Sequence, residues 1–171
     1  VIISTPTTTH LDYAIKFAQA NINLFIEKPI SNNYKTKKLN QFFNLVKKNK
    51  NIICYIGYVL RFEPGLIKLH NLLKKKEIIG KILYVRSTYG SYLPNWRKIN
   101  YLKSVSSSKK KGGGILLELS HEIDYLNYLF GKFTSIYSYL FNSKTLKINV
   151  DESADIFMIN KNKFPIYLHL D

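Results

Sequence analysis

The chain has 171 residues, 46% of them hydrophobic, and carries 26 Lys and Arg against 11 Asp and Glu, a formal net charge of +15. That length holds one medium domain or two small ones with a real core, and no apolar run reaches the roughly eighteen residues that read as a membrane span. The lone cysteine, Cys54, excludes an intrachain disulfide, and within the apolar run from Ile52 to Ile56 it reads as a buried structural thiol rather than a reactive one.

Val1 to Ser4 predicts a short buried strand. Thr5-Pro6-Thr7-Thr8-Thr9-His10 then marks a strand-to-helix turn rich in capping hydroxyls. Leu11, Ala14, Ile15, Ala18 and Ile22 give a helical stripe. Asn23 to Ile26 is a second short buried strand, ending in Glu27-Lys28-Pro29. A helix from about Asn33 to Lys48 buries Leu39, Phe42, Phe43 and Val46, and Ile52 to Tyr58 is a third strand. Short continuous apolar strands alternating with amphipathic helices predict the parallel sheet of an α/β domain.

The pattern changes near Leu60. A helix covers Leu66, Leu69, Leu72 and Leu73, Gly80 ends that region, and Lys81 to Tyr92 reads as a strand. A long polar loop from about Pro94 to Gly114 contains Trp96, Arg97 and the basic serine stretch 104–111; loops this long are functional or disordered. Gly112-Gly113-Gly114 opens a helix whose stripe is Ile115, Leu119, Ile123, Leu126 and Phe130, stopped by Gly131. Glu118, His121, Asp124, Tyr125 and Tyr128 fall on its other side. Strands 134–141, 153–160 and 164–170 follow without intervening helices, which predicts antiparallel pairing. The expected fold class is therefore α/β plus α+β: the C-terminal half of a Rossmann domain over residues 1–60, then residues 61–171 as a domain with an open, mainly antiparallel sheet packed by helices.

Strand ends of an open parallel sheet bind ligands. Ser4 to His10 lies at one such end, where a plain helix cap is the competing explanation. Glu27-Lys28-Pro29 lies at another, and the following proline restricts Lys28 to an extended backbone that directs its side chain. His121 has Glu118 one turn back and Asp124 one turn on, so a carboxylate is expected to orient the ring and raise its basicity, as a general base requires. No metal-ligand spacing joins His121 to His10, His70 or His169. Tyr89, Tyr92 and Trp96 suit a core and a sugar-stacking wall equally well.

The charge invites a nucleic-acid partner. Against that, the excess is nearly all lysine, and asparagine, isoleucine and tyrosine are abundant too. All have adenine- and thymine-rich codons, so genomic composition accounts for them together. No element carries an aromatic–basic stripe. Neither nucleic acid nor a membrane is expected as a partner.

In order, the chain reads Val1-Ile2-Ile3-Ser4-Thr5-Pro6 with His10, Phe25-Ile26-Glu27-Lys28-Pro29-Ile30-Ser31, Tyr58-Val59-Leu60-Arg61-Phe62 with Pro64, Ile79-Gly80-Lys81-Ile82, Tyr92-Leu93-Pro94 with Trp96-Arg97, and the Gly112-Gly113-Gly114 block running through Glu118-Leu119-Ser120-His121-Glu122-Ile123-Asp124. Over essentially its whole length this resembles the glucose–fructose oxidoreductase / inositol dehydrogenase (Gfo/Idh/MocA) family. The resemblance implies a Rossmann domain binding NAD or NADP, a C-terminal domain with an open sheet, and a carbohydrate-like small-molecule substrate between them. It implies oxidation of a secondary hydroxyl of a sugar, sugar derivative or cyclitol, with an NAD-dependent lyase or glycosidase of the same fold as the alternative. It also implies a homo-oligomer formed through the C-terminal sheet.

Carried over residue by residue, Ser4, Thr5, Pro6 and His10 match the turn along the cofactor. Glu27, Lys28 and Pro29 match the motif whose lysine contacts cofactor and substrate, and Arg61 matches a position near the nicotinamide or substrate cleft. His121 matches the catalytic histidine, with Lys28 as its partner. Tyr92, Trp96, Arg97, Glu118 and Asp124 are expected against the substrate; no metal is expected. Two features depart from the family. The glycine-rich phosphate loop is absent, and Leu117 stands where many members have an aspartate four residues before the histidine. Glu118 lies three before it, so whether it replaces that aspartate stays open.

Residue 1 is Val, the only methionine is Met158, and both ends run directly into apolar patterns. The chain is therefore expected to be an internal piece of a longer protein, inactive alone, with a cytoplasmic setting and an upstream export signal still open.

Overall fold

A computed structural model describes residues 1–171. Its first sheet has the three parallel strands β1 (Ile2–Ile3), β2 (Leu24–Ile26) and β3 (Cys54–Ile56), hydrogen-bonded in that order. Helices α1 (His10–Gln19) and α2 (Lys37–Lys48) lie between them in sequence and cover one face. Ile3 and Ile26 are buried there with Leu11, Ala14, Ala18 and Phe42; each fully buried aliphatic side chain contributes about 1.5–3 kcal/mol. The neighbouring Ile2, Phe25 and Tyr55, in register across the three strands, are exposed on the other face.

Helix α2 starts later than its apolar period suggests. Ser31 and Asn33 close their own side-chain turns, and Thr36 caps the helix by accepting from the Lys38 N–H at 3.3 Å. These short polar side chains compete with helix over residues 31–36. Lys47 and Lys48 fall in the last turn, where cations suit the helix dipole.

After β3 the chain makes a 3₁₀ turn over Val59–Phe62 and enters α3 (Pro64–Leu73), capped by Glu63 accepting from the Leu66 N–H at 2.8 Å. The one-turn helix α4 (Lys76–Ile79) leads to β4 (Val85–Tyr89). The predicted long helix is two: α5 (Ile115–Glu118) and α6 (Ser120–Phe130), separated at Leu119, whose φ of −99° and ψ of 29° leave the helical region. Strands β5 (Phe133–Phe141), β6 (Ser153–Asn160) and β7 (Pro165–Leu170) complete a sheet of order β4-β7-β6-β5.

Strands β5, β6 and β7 pair antiparallel as expected, whereas β4 joins the edge of β7 in parallel. Ala154, Ile156, Met158, Ile166, Leu168 and Leu170 face inward and pack with Ile115, Leu119 and Leu126. The outer face is open and aromatic, with Tyr137, Phe157 and Tyr167 aligned across three strands.

The basic serine loop is packed rather than solvated. It folds as 3₁₀ turns, with Ser104, Ser106 and Ser107 buried and Lys109–Lys111 outside. The second of the three glycines seals it: a Cβ on Gly113 would lie 2.2 Å from the Val105 carbonyl oxygen and 2.4 Å from that of Ser106. No helix is long and apolar enough to cross a membrane.

Candidate active site

The carboxyl ends of the three parallel strands converge on the start of α6. The turn after β1 is built by hydroxyls. Thr9 donates to the Pro6 carbonyl and meets the Thr5 hydroxyl, both at 2.8 Å. Ser4, Thr5 and Pro6 are exposed along it. His10 is only 1% exposed, and its two ring nitrogens lie 2.9 Å from the Pro29 carbonyl and 2.8 Å from the Thr5 carbonyl. Direct contact with a cofactor, the expectation from sequence, is therefore closed to those nitrogens. His10 instead braces the loop after β1 against the loop after β2.

That second loop is Glu27-Lys28-Pro29. The Glu27 carboxylate accepts from the Lys28 backbone N–H at 2.9 Å. The Lys28 ammonium crosses to the second sheet's layer and donates to the carbonyl of Glu118. The break at Leu119 makes this possible. In an unbroken helix the Glu118 carbonyl would accept from residue 122, but the Glu122 N–H goes to Leu119 instead. A helix-period pattern does not reveal such a break.

The third loop carries Arg61, which grips Asp124 of α6 with two parallel bonds, Nε to Oδ2 at 2.7 Å and Nη2 to Oδ1 at 2.6 Å. This bond to Asp124 is the main reason the guanidinium is held above its ordinary pKa. The Arg61 plane also lies 5.2 Å from the centre of the Tyr128 ring. Both residues were expected to face a ligand; in the structure they pair with each other, joining the turn after β3 to the helix of His121.

His121 is half-buried at the meeting point of these loops, edge-on to Tyr58 with ring centres 5.7 Å apart. Its Nδ1 is buried without a hydrogen-bond partner. The carboxylate partner expected from helix spacing is absent: Asp124 is held by Arg61, and the His121 Nδ1 has no hydrogen bond to any carboxylate. The expected rise in basicity is likewise reversed. Burial, then the Lys28 charge, push the His121 pKa below 6.5, outweighing the opposing pull of Glu27 and Asp124.

Sequence reasoning missed Glu122. It is 4% exposed, its Oε2 has no partner, and burial raises its pKa against the weaker opposite effects of its own backbone N–H and then of Lys28. The signal was present: Glu122 lies three residues after Leu119 and four before Leu126, on the apolar stripe itself.

A cavity of about 450 Å³ borders this site through Glu118. Tyr92 and Trp96 also line it, and the Trp96 indole N–H donates to the Ser91 carbonyl at 2.9 Å. Arg97 and Asp124 lie outside its lining, as do Lys28 and His121.

The chain has recognisable relatives. Residues 1–58 match the model of the oxidoreductase family with an NAD-binding Rossmann fold, and residues 67–170 match the GFO/IDH/MocA C-terminal domain. A scyllo-inositol 2-dehydrogenase (NAD(+)) of Bacillus subtilis is 31% identical over 132 residues, covering 77% of this chain and 35% of that protein. A 2,7-anhydro-N-acetylneuraminate hydratase of Mediterraneibacter gnavus is 29% identical over 131 residues, covering 77% and 33%. Thus the chain spans about a third of the length of these curated relatives. Among solved structures, myo-inositol 2-dehydrogenase from Lactobacillus plantarum superposes with a TM-score of 0.82 at 20% identity, covering 98% of this chain and 49% of that one. GenD2 from gentamicin A biosynthesis, in complex with NAD, superposes at 0.84 with 19% identity, covering 100% and 47%. At those identities the structures establish the shared fold.

Proposed function

The chain belongs to the GFO/IDH/MocA oxidoreductase family, and from that premise we propose that the whole protein oxidises a secondary hydroxyl of a sugar, sugar derivative or cyclitol with NAD or NADP. Lys28 and His121 are the catalytic pair. The observation that carries the proposal is their juxtaposition: an ammonium anchored on the Glu118 carbonyl, beside an imidazole that burial and this same charge keep neutral.

The residues at the strand ends suit a dinucleotide's nicotinamide end. The loops of Ser4, Thr5 and Pro6 and of Glu27, Lys28 and Pro29 are fixed to each other through His10. The buried, unpartnered Nδ1 of His121 lies beside them. When bound, the nicotinamide supplies a hydride acceptor. The protein's residues supply the proton chemistry. Neutral His121 accepts the hydroxyl proton, and Lys28, which retains donors beyond the one given to Glu118, favours the negative charge developing on that oxygen. Arg61 and Asp124 hold the two layers so that Lys28 and His121 face each other.

Two further parts of the proposal rest on the architecture. The two domains divide near Leu60, each sheet having its own buried cluster. The open aromatic face of the second sheet serves homo-oligomer contact.

The test is His121→Ala in the full-length enzyme. Turnover is expected to fall by about 10²- to 10⁴-fold, with cofactor affinity nearly intact; unchanged turnover refutes the role. The similarity to a hydratase keeps a second reaction in view, elimination through transient oxidation with tightly held NAD. Product analysis separates the two: accumulating NADH supports the dehydrogenase, and an unsaturated or hydrated product without net NADH supports the lyase.

A further inference from the structure

A general base is usually oriented by a hydrogen bond to the ring nitrogen that does not take the proton. The other histidines of the chain have such partners. His10 lies between two carbonyls, His70 meets the Tyr128 hydroxyl at 2.8 Å, and His169 meets Asp155 at 2.7 Å. His121 is the exception, its Nδ1 being buried without a partner. What packs against its ring is Tyr58, at an interplanar angle of 85° with ring centres 5.7 Å apart.

This contact is built into the fastening between the layers. Tyr58 and Arg61 lie three residues apart on the turn after β3, and His121 and Asp124 lie three apart on α6. The two bonds from Arg61 to Asp124 therefore also set Tyr58 against His121. The turn is closed by its own backbone: the Tyr58 N–H donates to the Ile56 carbonyl at 2.7 Å, and the Arg61 N–H to the Tyr58 carbonyl at 3.2 Å. Tyr58 is half-buried, and burial holds its hydroxyl above its ordinary pKa, so the ring stays uncharged. The charges that act on His121 come from other places, Lys28 and Glu27 on the loop after β2 and Asp124 on α6 itself. The Arg61 charge, on the same turn as Tyr58, is paired with Asp124.

We infer that Tyr58 is the positioning residue of His121: its ring fixes the plane of the imidazole and keeps water from it, in place of the hydrogen-bonded partner a general base usually has. The inference rests on the reading of His121 as the base, and Tyr58 acts through His121 rather than on the substrate. Such a wall suits a base that must stay neutral beside Lys28. A carboxylate partner would draw a proton onto the ring, whereas an edge-on aromatic orients it without a counter-charge.

The test uses the full-length enzyme with Tyr58→Leu and, separately, Tyr58→Met, circular dichroism verifying the fold, and Tyr58→Phe as the substitution that keeps the ring. A loosened base is misplaced for proton transfer but not for binding, so kcat should fall about tenfold to a hundredfold with KM nearly unchanged. Without the ring, water reaches His121. Its pKa in a histidine NMR titration, and the acid limb of kcat/KM, should then rise toward 6.5, since burial is the first cause of the depression. Tyr58→Phe should restore both kcat and the low pKa. In the unsubstituted enzyme, nuclear Overhauser contacts between the two rings are expected. Unchanged kcat or an unmoved His121 pKa in folded Tyr58→Leu or Tyr58→Met, a Tyr58→Phe as impaired as these, or no contact between the rings overturns the inference. The two readings fail separately. Full turnover in His121→Ala removes the catalytic role, whereas full turnover in Tyr58→Leu beside an inactive His121→Ala removes only that of Tyr58.

Discussion

Arg61→Met breaks the bidentate pair that fastens the two layers together, and its cost follows from the exposure of the partners. Two charge-assisted bonds of 2.6 and 2.7 Å are lost, and Asp124, whose side chain is 11% exposed, is left as a charge without a counter-charge. Breaking a fully buried pair costs about 3–5 kcal/mol, and an exposed pair contributes only about 0–1 kcal/mol. The Arg61 side chain is 40% exposed, so the loss should be about 2–3 kcal/mol. Asp124→Asn is milder. It keeps one acceptor for the guanidinium, and water reaches the unneutralised arginine, so about 1 kcal/mol is expected. Urea unfolding of the two single variants and the double variant closes a thermodynamic cycle, in which a coupling of about 1–2 kcal/mol isolates the pair. If Arg61→Met is no worse than Asp124→Asn, or the coupling stays below about 0.5 kcal/mol, the assignment of this pair as the fastening between layers is wrong.

The Lys28 charge is the second cause of the depressed His121 pKa, so Lys28→Met should raise that pKa toward 6.5 in a histidine NMR titration; a fall or no change contradicts the coupling. A histidine with a folded pKa below its unfolded one binds its proton more readily in the unfolded chain. Stability should therefore drop as pH falls through 6.5, and less steeply in Lys28→Met. By the same depression, the acid limb of kcat/KM in the full-length enzyme should lie below 6.5, and a limb at or above that value would exclude His121 as the base. Glu122 is the opposite case: burial raises its pKa above 4.5, the folded chain holds the proton longer, and stability is lost as pH rises through that range. Glu122→Gln should thus raise the urea midpoint at neutral pH but not near pH 4.5; equal shifts at both would show that ionisation is not the cost.

Much of the fold was legible because its signals are local. The apolar runs at 23–26 and 52–58 and the strand-like runs at 153–160 and 164–170 contain the strands observed, and the helices between carry a 3.6-residue apolar period. Lys28, after a strand end, and His121, on a helix opening from glycines, were picked out as candidates, and the structure brings their charges within each other's influence. Harder were the features that depend on a distant partner. The start of α2 was set by Ser31, Asn33 and Thr36 closing their own turns, a competition that helical periodicity does not express. The buried Ser104, Ser106 and Ser107 read as a solvated basic loop, because only their packing against the glycines turns them inward.

Alone, then, the sequence determined the two sheets, their order along the chain, and which residue types reach the strand ends, since these follow from period, turn chemistry and burial. Only the tertiary structure decided how those residues act on one another. The break at Leu119 releases the Glu118 carbonyl to Lys28, Arg61 takes Asp124 away from His121, and the histidine is left desolvated beside a lysine. A basicity that helix spacing predicted to rise falls instead, because the charges nearest in space are not those nearest along the helix.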